Sequence, residues 1–395
     1  MRYSDFQGER ISLLGFGAMR LPLLGDGSGK VDEAQTEKMV DYALENGVNY
    51  FDTAYPYHNG ESELILGRCL KKHPRESFLL ASKYPGHQVS ETYDPAAVFE
   101  RQLQKCGVEY FDFYLLHNVC ENSLPTYLDS RWGIIEYFVE QKRRGRIRHL
   151  GFSSHGRLEN LREFLDLHGD QMEFCQIQLN YVDWTLQQGK EKCALLGERN
   201  IPVWVMEPVR GGRLARLSEE ERAPLAAIHP QDSAAKWAFR FLLDIPQVKL
   251  VLSGMSSMEQ MEENVRIFSQ DAPLDAQEKQ AVFAVADAIK NFVPCTACRY
   301  CCKGCPMELD IPTLIGVYND LRMAPAVNIG MYLDTLPEGK LPSACIGCGK
   351  CAQICPQGID VPDVMRRFSE EIAKLPKWAD ICRERAQAQA RLEKG

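Results

Sequence analysis

The chain has 395 residues, of which 45% are hydrophobic and 25% charged, with a formal net charge of −8. That length suits one large domain and a small one, and the composition is that of an ordinary globular protein. The acidic balance disfavours a nucleic-acid backbone or an anionic membrane as partner; no apolar run reaches membrane-spanning length. Met1 to Phe6 carries no apolar signal region, so the expected location is cytoplasmic.

In chain order, strand-like apolar runs end near Gly17 (11–17), Asp52 (48–51), Lys83 (78–82) and His117 (111–116). Four more end near Ser153 (147–152), Asn180 (174–179), Met206 (201–205) and Gly254 (248–253). Most lie about 30 residues apart, the size of one strand–helix unit. Helical patterns fill the gaps. Asp32 caps one with Met39, Val40, Ala43 and Leu44 on a face, stopped by Gly47. Asp94-Pro95 opens another, closed by Gly107. Further stripes run through Ile134 to Val139, Leu158 to Leu165, and Ala234 to Leu242.

Eight strands alternating with helices imply an α/β fold, either a closed (β/α)8 TIM-type barrel or an open doubly wound sheet. The strand number, and the lack of a glycine-rich dinucleotide turn after the first strand, favour the barrel. Met258 to Phe268 reads as the last barrel helix and Asp275 to Phe292 as an extra one. The composition shifts abruptly at Pro294. The expected domains are therefore 1–290, the barrel, and 291–395, a mainly helical cysteine-rich domain.

Asp52, Lys83 and His117 close three successive strands, and Tyr57 follows the first of them. A parallel barrel sets such side chains on one rim, where its chemistry is done. The set suits carbonyl reduction. A hydride delivered to a carbonyl leaves an alkoxide that needs a proton. A tyrosine can donate it, with a nearby Lys83 ammonium expected to lower the phenol's pKa and Asp52 holding the lysine. His117 can orient the carbonyl oxygen. The structural alternative is a buried ion pair with an unrelated tyrosine and histidine, which four suitable residues at one rim make the weaker reading.

The sequence resembles the aldo-keto reductase family over roughly residues 5–270. The matching residues are Gly15-Phe16-Gly17-Ala18-Met19-Arg20, Phe51-Asp52-Thr53-Ala54 with Tyr57, Ser82-Lys83 and Leu116-His117. Gly151-Phe152-Ser153-Ser154, Gln176 to Tyr181, and Glu263-Asn264 also match. The resemblance implies a barrel with a nicotinamide cofactor along its C-terminal rim, near Gly17, Met19 and Arg20. It implies the roles just given for Tyr57, Asp52, Lys83 and His117, with Asp52 also near the cofactor. Ser153, Ser154 and Gln176 would hold the carboxamide, and Arg210, Gly211 and Gly212 would admit the pyrophosphate. Glu263 and Asn264 would meet adenine or its ribose. Members that prefer NADP usually carry Lys or Arg after the eighth strand. Here Ser253, Gly254 and Ser256 stand there, with Gln260 next, so NAD and NADP both remain open. Met206 takes the place of an aromatic that stacks on the ring in many relatives.

Fifteen cysteines are concentrated late in the chain, nine of them from Cys295 to Cys355. Cys295, Cys298, Cys301 and Cys305 fit the run C-x2-C-x2-C-x3-C-P, and Cys345, Cys348, Cys351 and Cys355 repeat it. This is the pattern of bacterial two-cluster ferredoxins, in which the fourth cysteine ligates the other cluster. One 4Fe–4S cluster is thus assigned to Cys295, Cys298, Cys301 and Cys355, and the second to Cys345, Cys348, Cys351 and Cys305. A pair of zinc sites is the competing reading, disfavoured by the duplicated four-cysteine run. Cys302 is left as a spare thiol. A helix from Pro312 to Met323 is expected to pack the clusters against the barrel. Val361 to Leu375 reads as amphipathic, and 383–395 as a solvated helix end.

The combination indicates an oxidoreductase that reduces a small carbonyl, or oxidises an alcohol, with electrons also passing through the clusters. Clusters move electrons singly and nicotinamide moves a pair, so a flavin is conceivable, although no flavin motif is visible. A ferredoxin-like electron-transfer partner is a further expectation. The alternative is a nucleotide-binding redox sensor whose clusters are structural or sensory.

Overall fold

A computed structural model of the chain describes residues 1–289, 293, 295, 297–323 and 327–392. It divides into two compact units, Met1–Ala286 with Glu384–Gly395, and Asp287–Arg383. The expected boundary residue Pro294 lies outside the described residues.

The larger unit opens with an antiparallel hairpin, β1 (Tyr3–Phe6) and β2 (Glu9–Ser12). The apolar run over 11–17 divides between β2 and the first barrel strand, and β1 lies outside the strands expected from the sequence. Its signal was present: Gln7-Gly8 adopts positive φ at both positions, the geometry of a tight two-residue hairpin turn. A closed parallel barrel follows, of β3 (Leu14–Gly17), β4 (Tyr50–Asp52), β5 (Leu79–Tyr84) and β6 (Phe111–Leu116). It is completed by β7 (Ile147–Ser154), β8 (Cys175–Gln178), β9 (Val203–Met206) and β10 (Val248–Ser253), with β10 pairing back onto β3.

The barrel interior is filled by Tyr50, Ala81, Phe113, Leu115, Phe174, Trp204, Leu250 and Leu252. Phe6 and Ile11 of the hairpin join this core, and Phe6 stands edge-on to Trp204, with ring centroids 5.1 Å apart. The hairpin thereby supplies apolar surface to the barrel interior, which is a packed core rather than a pore.

The helices begin where local chemistry dictates. Asp32 accepts a hydrogen bond from Gln35 N at the start of the helix Glu33–Glu45. Asp94 caps Pro95–Cys106 in the same way, and Gly107 ends that helix in the left-handed conformation. Ser233 and Ser257 cap Ala234–Leu242 and Met258–Gln270. These side-chain oxygens satisfy amides that have no partner within the helix. The helix expected over 275–292 is described as Ala276–Ile289; residues 290–292 lie outside the described residues.

The smaller unit has a core of its own. Ile311–Met323 presents Leu314, Ile315, Tyr318 and Leu321 to Val361, Val364, Met365 and Phe368 of the helix Val361–Ile372. Tyr318 and Phe368 meet at a 5.2 Å ring separation. The inserted helix builds the core beside the cysteines. No helix among the described residues is long and apolar enough to cross a membrane.

Candidate active site and cluster cages

The register of the barrel brings the strand ends together at one rim. Gly17 pairs with Asp52, Asp52 with Ala81, Lys83 with Leu115, Ser153 with Gln176, and Gln178 with Met206. Residues spread over about half of the sequence, from Gly17 to Met206, thus stand near one rim.

Lys83 and Asp52, 0% and 3% exposed, form a buried ion pair, and the same ammonium donates to Thr53 O at 2.8 Å. The Lys83 Nζ lies 5.1 Å from the centre of the Tyr57 ring. The Tyr57 and His117 rings stand edge to face, 5.8 Å apart. The four residues singled out in the sequence are thus adjacent in space. Gln102, not singled out there, braces the lysine by donating to Lys83 O at 3.1 Å and to the buried Glu63 at 2.6 Å. Tyr127 donates to His117 O at 2.8 Å and ties down the end of β6.

The electrostatics of the phenol differ from the sequence expectation. Burial, then the carboxylates of Asp52 and Glu207, push the Tyr57 hydroxyl well above the usual tyrosine range. The lysine does not bring it down, because its charge is matched by Asp52 at close range and burial dominates. Burial also raises the Asp52 carboxyl and lowers the Lys83 ammonium, each countered by the other's charge. His117 is driven well below the ordinary histidine value by burial, with His87 and Lys83 next. At neutral pH the phenol therefore keeps its proton and the imidazole is uncharged. His87, whose ring lies 4.3 Å from that of His117, is pushed down to about 3 by burial. Neither His87 nor Gln102 could be found from spacing, since their roles depend on which loop or helix lies over the strand ends.

The remaining rim residues divide by what they touch. Gln176 is buried and its carboxamide oxygen has no hydrogen-bond partner among the described residues. Ser153 Oγ accepts from Asn118 N, whereas Ser154 Oγ donates to Val119 O at 2.7 Å. Arg20, at 46% side-chain exposure, reaches Glu207 at 3.4 Å, and its backbone carbonyl accepts from Ser256 Oγ. Met19 is exposed and Met206 half-buried beside them. Gly211 and Gly212 have φ of +64° and +93°, which a side chain rarely tolerates. A Cβ on Gly211 would come 3.4 Å from Arg20 Nη2, and one on Gly254 3.1 Å from Arg20 Cβ. The guanidinium of Arg210 turns inward to Asp183, itself held by Gln178 and Asn180, so only its backbone faces the loop. Asn264 donates to Ser253 Oγ at 3.0 Å, and Gln260 Oε1 accepts from Ser256 N at 2.8 Å. Glu263 is half-buried on the same helix. Tyr55 Oη accepts from Arg101 Nη1 at 2.9 Å, and the Trp132 ring stands edge to face with Tyr93, 5.4 Å between centres.

A nicotinamide nucleotide fits this rim on two counts. Gln176 offers a buried oxygen that needs a donor, as a carboxamide NH2 would supply. The two positive-φ glycines leave room for backbone to approach a pyrophosphate.

In the smaller unit, two cavities are lined by the cysteines. One is walled by Cys295, Cys298, Cys301 and Cys355, with Ile311 and Ile315. The other is walled by Cys305, Cys345, Cys348 and Cys351, with Met307 and Met365. Each run thus contributes three sulfurs to one cavity and its proline-flanked fourth to the other. Cys302 lines neither. No three cysteine, histidine or carboxylate donors among the described residues converge on a single-ion position. Four thiols around an apolar cavity suit a cubane better than a lone tetrahedral ion.

Fold, rim and cages together agree with the comparison to known proteins. Residues 13–287 match the Aldo/keto reductase family, and the chain belongs to it. Residues 294–359 match a 4Fe-4S dicluster domain. Among solved structures it is similar to the aldo-keto reductase AKR11C1 from Bacillus halodurans. That likeness has a TM-score of 0.59 at 26% identity, covering 72% of this chain and 96% of that one. It is 25% identical to the NADH-specific methylglyoxal reductase of Escherichia coli, covering 65% of this chain and 89% of the relative. It is 26% identical to a probable aldo-keto reductase of Glycine max, covering 55% of this chain but only 62% of the relative.

Proposed function

We propose that the barrel reduces a small carbonyl compound, or runs the reverse oxidation, with NADH or NADPH, and that the smaller unit carries two 4Fe–4S clusters that exchange electrons. The observation that carries this reading is the meeting of Tyr57, His117 and the Lys83–Asp52 pair at the rim of a closed barrel. When bound, the nicotinamide supplies or accepts hydride. The chain's own residues handle the proton and the orientation. Tyr57, kept protonated, gives its hydroxyl proton to the carbonyl oxygen as negative charge develops there. His117, uncharged, donates a hydrogen bond to the same oxygen and so fixes the carbonyl's direction. The Lys83–Asp52 pair is fixed beside the phenol, with the lysine offsetting part of the cost that burial and the Asp52 carboxylate place on the tyrosinate that remains. Gln176 and Ser153 hold the carboxamide, and the Gly211-Gly212 turn receives the pyrophosphate.

The clusters, when loaded, pass single electrons. Cys295, Cys298, Cys301 and Cys355 hold one, and Cys345, Cys348, Cys351 and Cys305 the other. A complete proton-donating set favours turnover over a purely sensory role, because sensing a nucleotide needs no acid beside the carbonyl position.

The test is anaerobic purification, with iron and sulfide counts and identification of bound nucleotide, followed by NADH and NADPH oxidation against a panel of aldehydes and ketones. Tyr57→Phe should reduce kcat at least a hundredfold while nucleotide affinity changes little. Undiminished reduction by that variant would remove the assigned role.

A further inference from the structure

The last helix, Trp378–Leu392, ends in a segment that belongs to the barrel unit. It was expected to be solvated, yet Gln389 is 7% exposed and donates its carboxamide to Tyr55 O at 2.9 Å, 334 residues away in the chain. Lys105 Nζ donates to the oxygen of the same carboxamide at 3.4 Å, and pairs with the buried Glu63 carboxylate at 3.0 Å. Both ends of the Gln389 amide are therefore engaged. Gly60 makes this approach feasible, because a Cβ there would fall 1.8 Å from Gln389 Nε2 and displace the amide.

Tyr55 and Gly60 bracket Tyr57, so the segment is fastened to the turn that presents the proposed proton donor. His58, Asn59 and Gly60 in that turn have φ of +49°, +54° and +95°. Such a left-handed run persists only where its surroundings over-determine it. The supports come from three directions. From the stretch after β3, Leu21 N donates to His58 Nε2 at 3.2 Å and Ala18 O accepts from Ser62 Oγ at 3.0 Å. From the helix Pro95–Cys106, Arg101 bonds the Tyr55 hydroxyl and Lys105 Nζ lies 4.9 Å from the centre of its ring. From the C-terminal segment, Gln389 takes the Tyr55 carbonyl. Two of the three grips are on Tyr55, two residues before the phenol.

We infer that Gln389 is a positioning residue of the reductase site: its bond to Tyr55 O is a latch that fixes the path of the Tyr57 turn, and with it the place from which the phenol delivers its proton. Proton transfer needs the donor within hydrogen-bond reach of the developing alkoxide, so a turn displaced by about an ångström slows the reaction far more than it weakens binding. The barrel's chemistry thus depends on a residue that follows both cysteine runs in the chain. This rests on the reading of the barrel as a carbonyl reductase and adds a residue that acts on the proton donor through Tyr55.

The experiment uses the full chain, purified anaerobically with its clusters, and the best aldehyde or ketone of the panel above. Gln389→Met fills the same space without a donor, so it removes the bond and keeps the packing. Its kcat should fall about tenfold or more, with the nucleotide dissociation constant and the substrate KM within about twofold of native. Gln389→Glu keeps an acceptor for Lys105 but sets a carboxylate against Tyr55 O, and should lose at least as much. A loss through KM alone, or a kcat within about twofold of native in both variants, overturns the proposal while leaving the reductase reading intact. Hydrogen exchange gives a readout independent of turnover. The Tyr57 and Glu61 amides, each bonded at 3.1 Å to Ala54 O and His58 O respectively, should exchange about tenfold faster in Gln389→Met while the β4–β6 amides keep their native rates. Unchanged exchange at those two amides, or acceleration spread evenly over the strands, also overturns it. If the native chain reduces nothing in the panel, the reductase reading fails, and the exchange of the two turn amides alone decides whether the latch holds the turn.

Discussion

Asp52→Asn is the most direct probe of the buried pair beneath the phenol. Both partners are almost wholly enclosed, at 3% and 0% exposure, and among the described residues the lysine's one other acceptor is Thr53 O. Removing one partner of such a pair typically costs about 3–5 kcal/mol, because the survivor's charge loses its counter-ion. The loss has a ceiling. Lys83 can shed its proton, and deprotonating an amine of 10.5 at pH 7.5 costs about 1.4 kcal/mol per pH unit, or about 4 kcal/mol in all. The single substitution should therefore destabilise the barrel by about 3–4 kcal/mol. The double variant Asp52→Asn with Lys83→Met leaves no charge stranded and should return to within about 1–2 kcal/mol of the native chain. Urea titration at pH 7.5 reads both, with hydrogen exchange of the β4–β6 amides confirming that the barrel transition is the one followed. Turnover should stay low in single and double alike, since the ordered ion pair beside Tyr57 is absent from both. A loss under about 1 kcal/mol in Asp52→Asn, or a double variant as unstable as the single, would refute the argument that the pair's value lies in mutual neutralisation.

The His87 imidazole, 5% exposed and pushed down to about 3, binds its proton in the unfolded chain well before it does in the folded one. Its stabilising contribution is complete above the unfolded value of 6.5 and is lost as pH falls toward the folded value. Between pH 6.5 and 5 this amounts to about 2 kcal/mol, and His87→Gln should flatten that part of the stability–pH curve; an unchanged slope would contradict it. The crossed assignment of cysteines predicts which losses match. Cys305→Ser should bleach the same electron paramagnetic resonance signal as Cys348→Ser, and Cys355→Ser the same one as Cys298→Ser, each leaving about four irons. Matching within a run instead of across runs would overturn the assignment. Gly60→Ala puts a Cβ where Gln389 sits and forces an L-residue into φ +95°, so it should release the C-terminal segment. Trypsin should then cut at Arg385 or Arg391 at least tenfold faster, and a cleavage rate equal to the native chain's would show that the latch is unimportant.

Much of this protein is written locally. The barrel's strand ends, the Asp32, Asp94 and Ser233 caps and the two cysteine runs depend on short-range chemistry: alternation of apolar residues, a side-chain oxygen near a helix start, thiols at fixed spacing. Those features hold whatever the rest of the chain does, so they are legible before any fold is known. The β1–β2 hairpin was legible too, through Gln7-Gly8, but its second strand merges with the next because Ile11, Leu13, Leu14 and Phe16 follow one another with only Ser12 and Gly15 between them.

Other features were decided only by tertiary packing. Tyr57 was expected to be acidified by Lys83, yet the phenol moves the other way, because burial and the net charge of a closed pair are properties of the enclosure. Arg210 was expected to offer its backbone to a pyrophosphate; what the sequence did not show is that its guanidinium pairs with Asp183, a partner that only the loop geometry supplies. Gln389, in a stretch whose alanines and charges read as solvated, is buried because it meets a glycine at Gly60 more than three hundred residues earlier. Sequence determines which groups a chain can offer; long-range contact determines how much water each one keeps, and hence its charge and its partners.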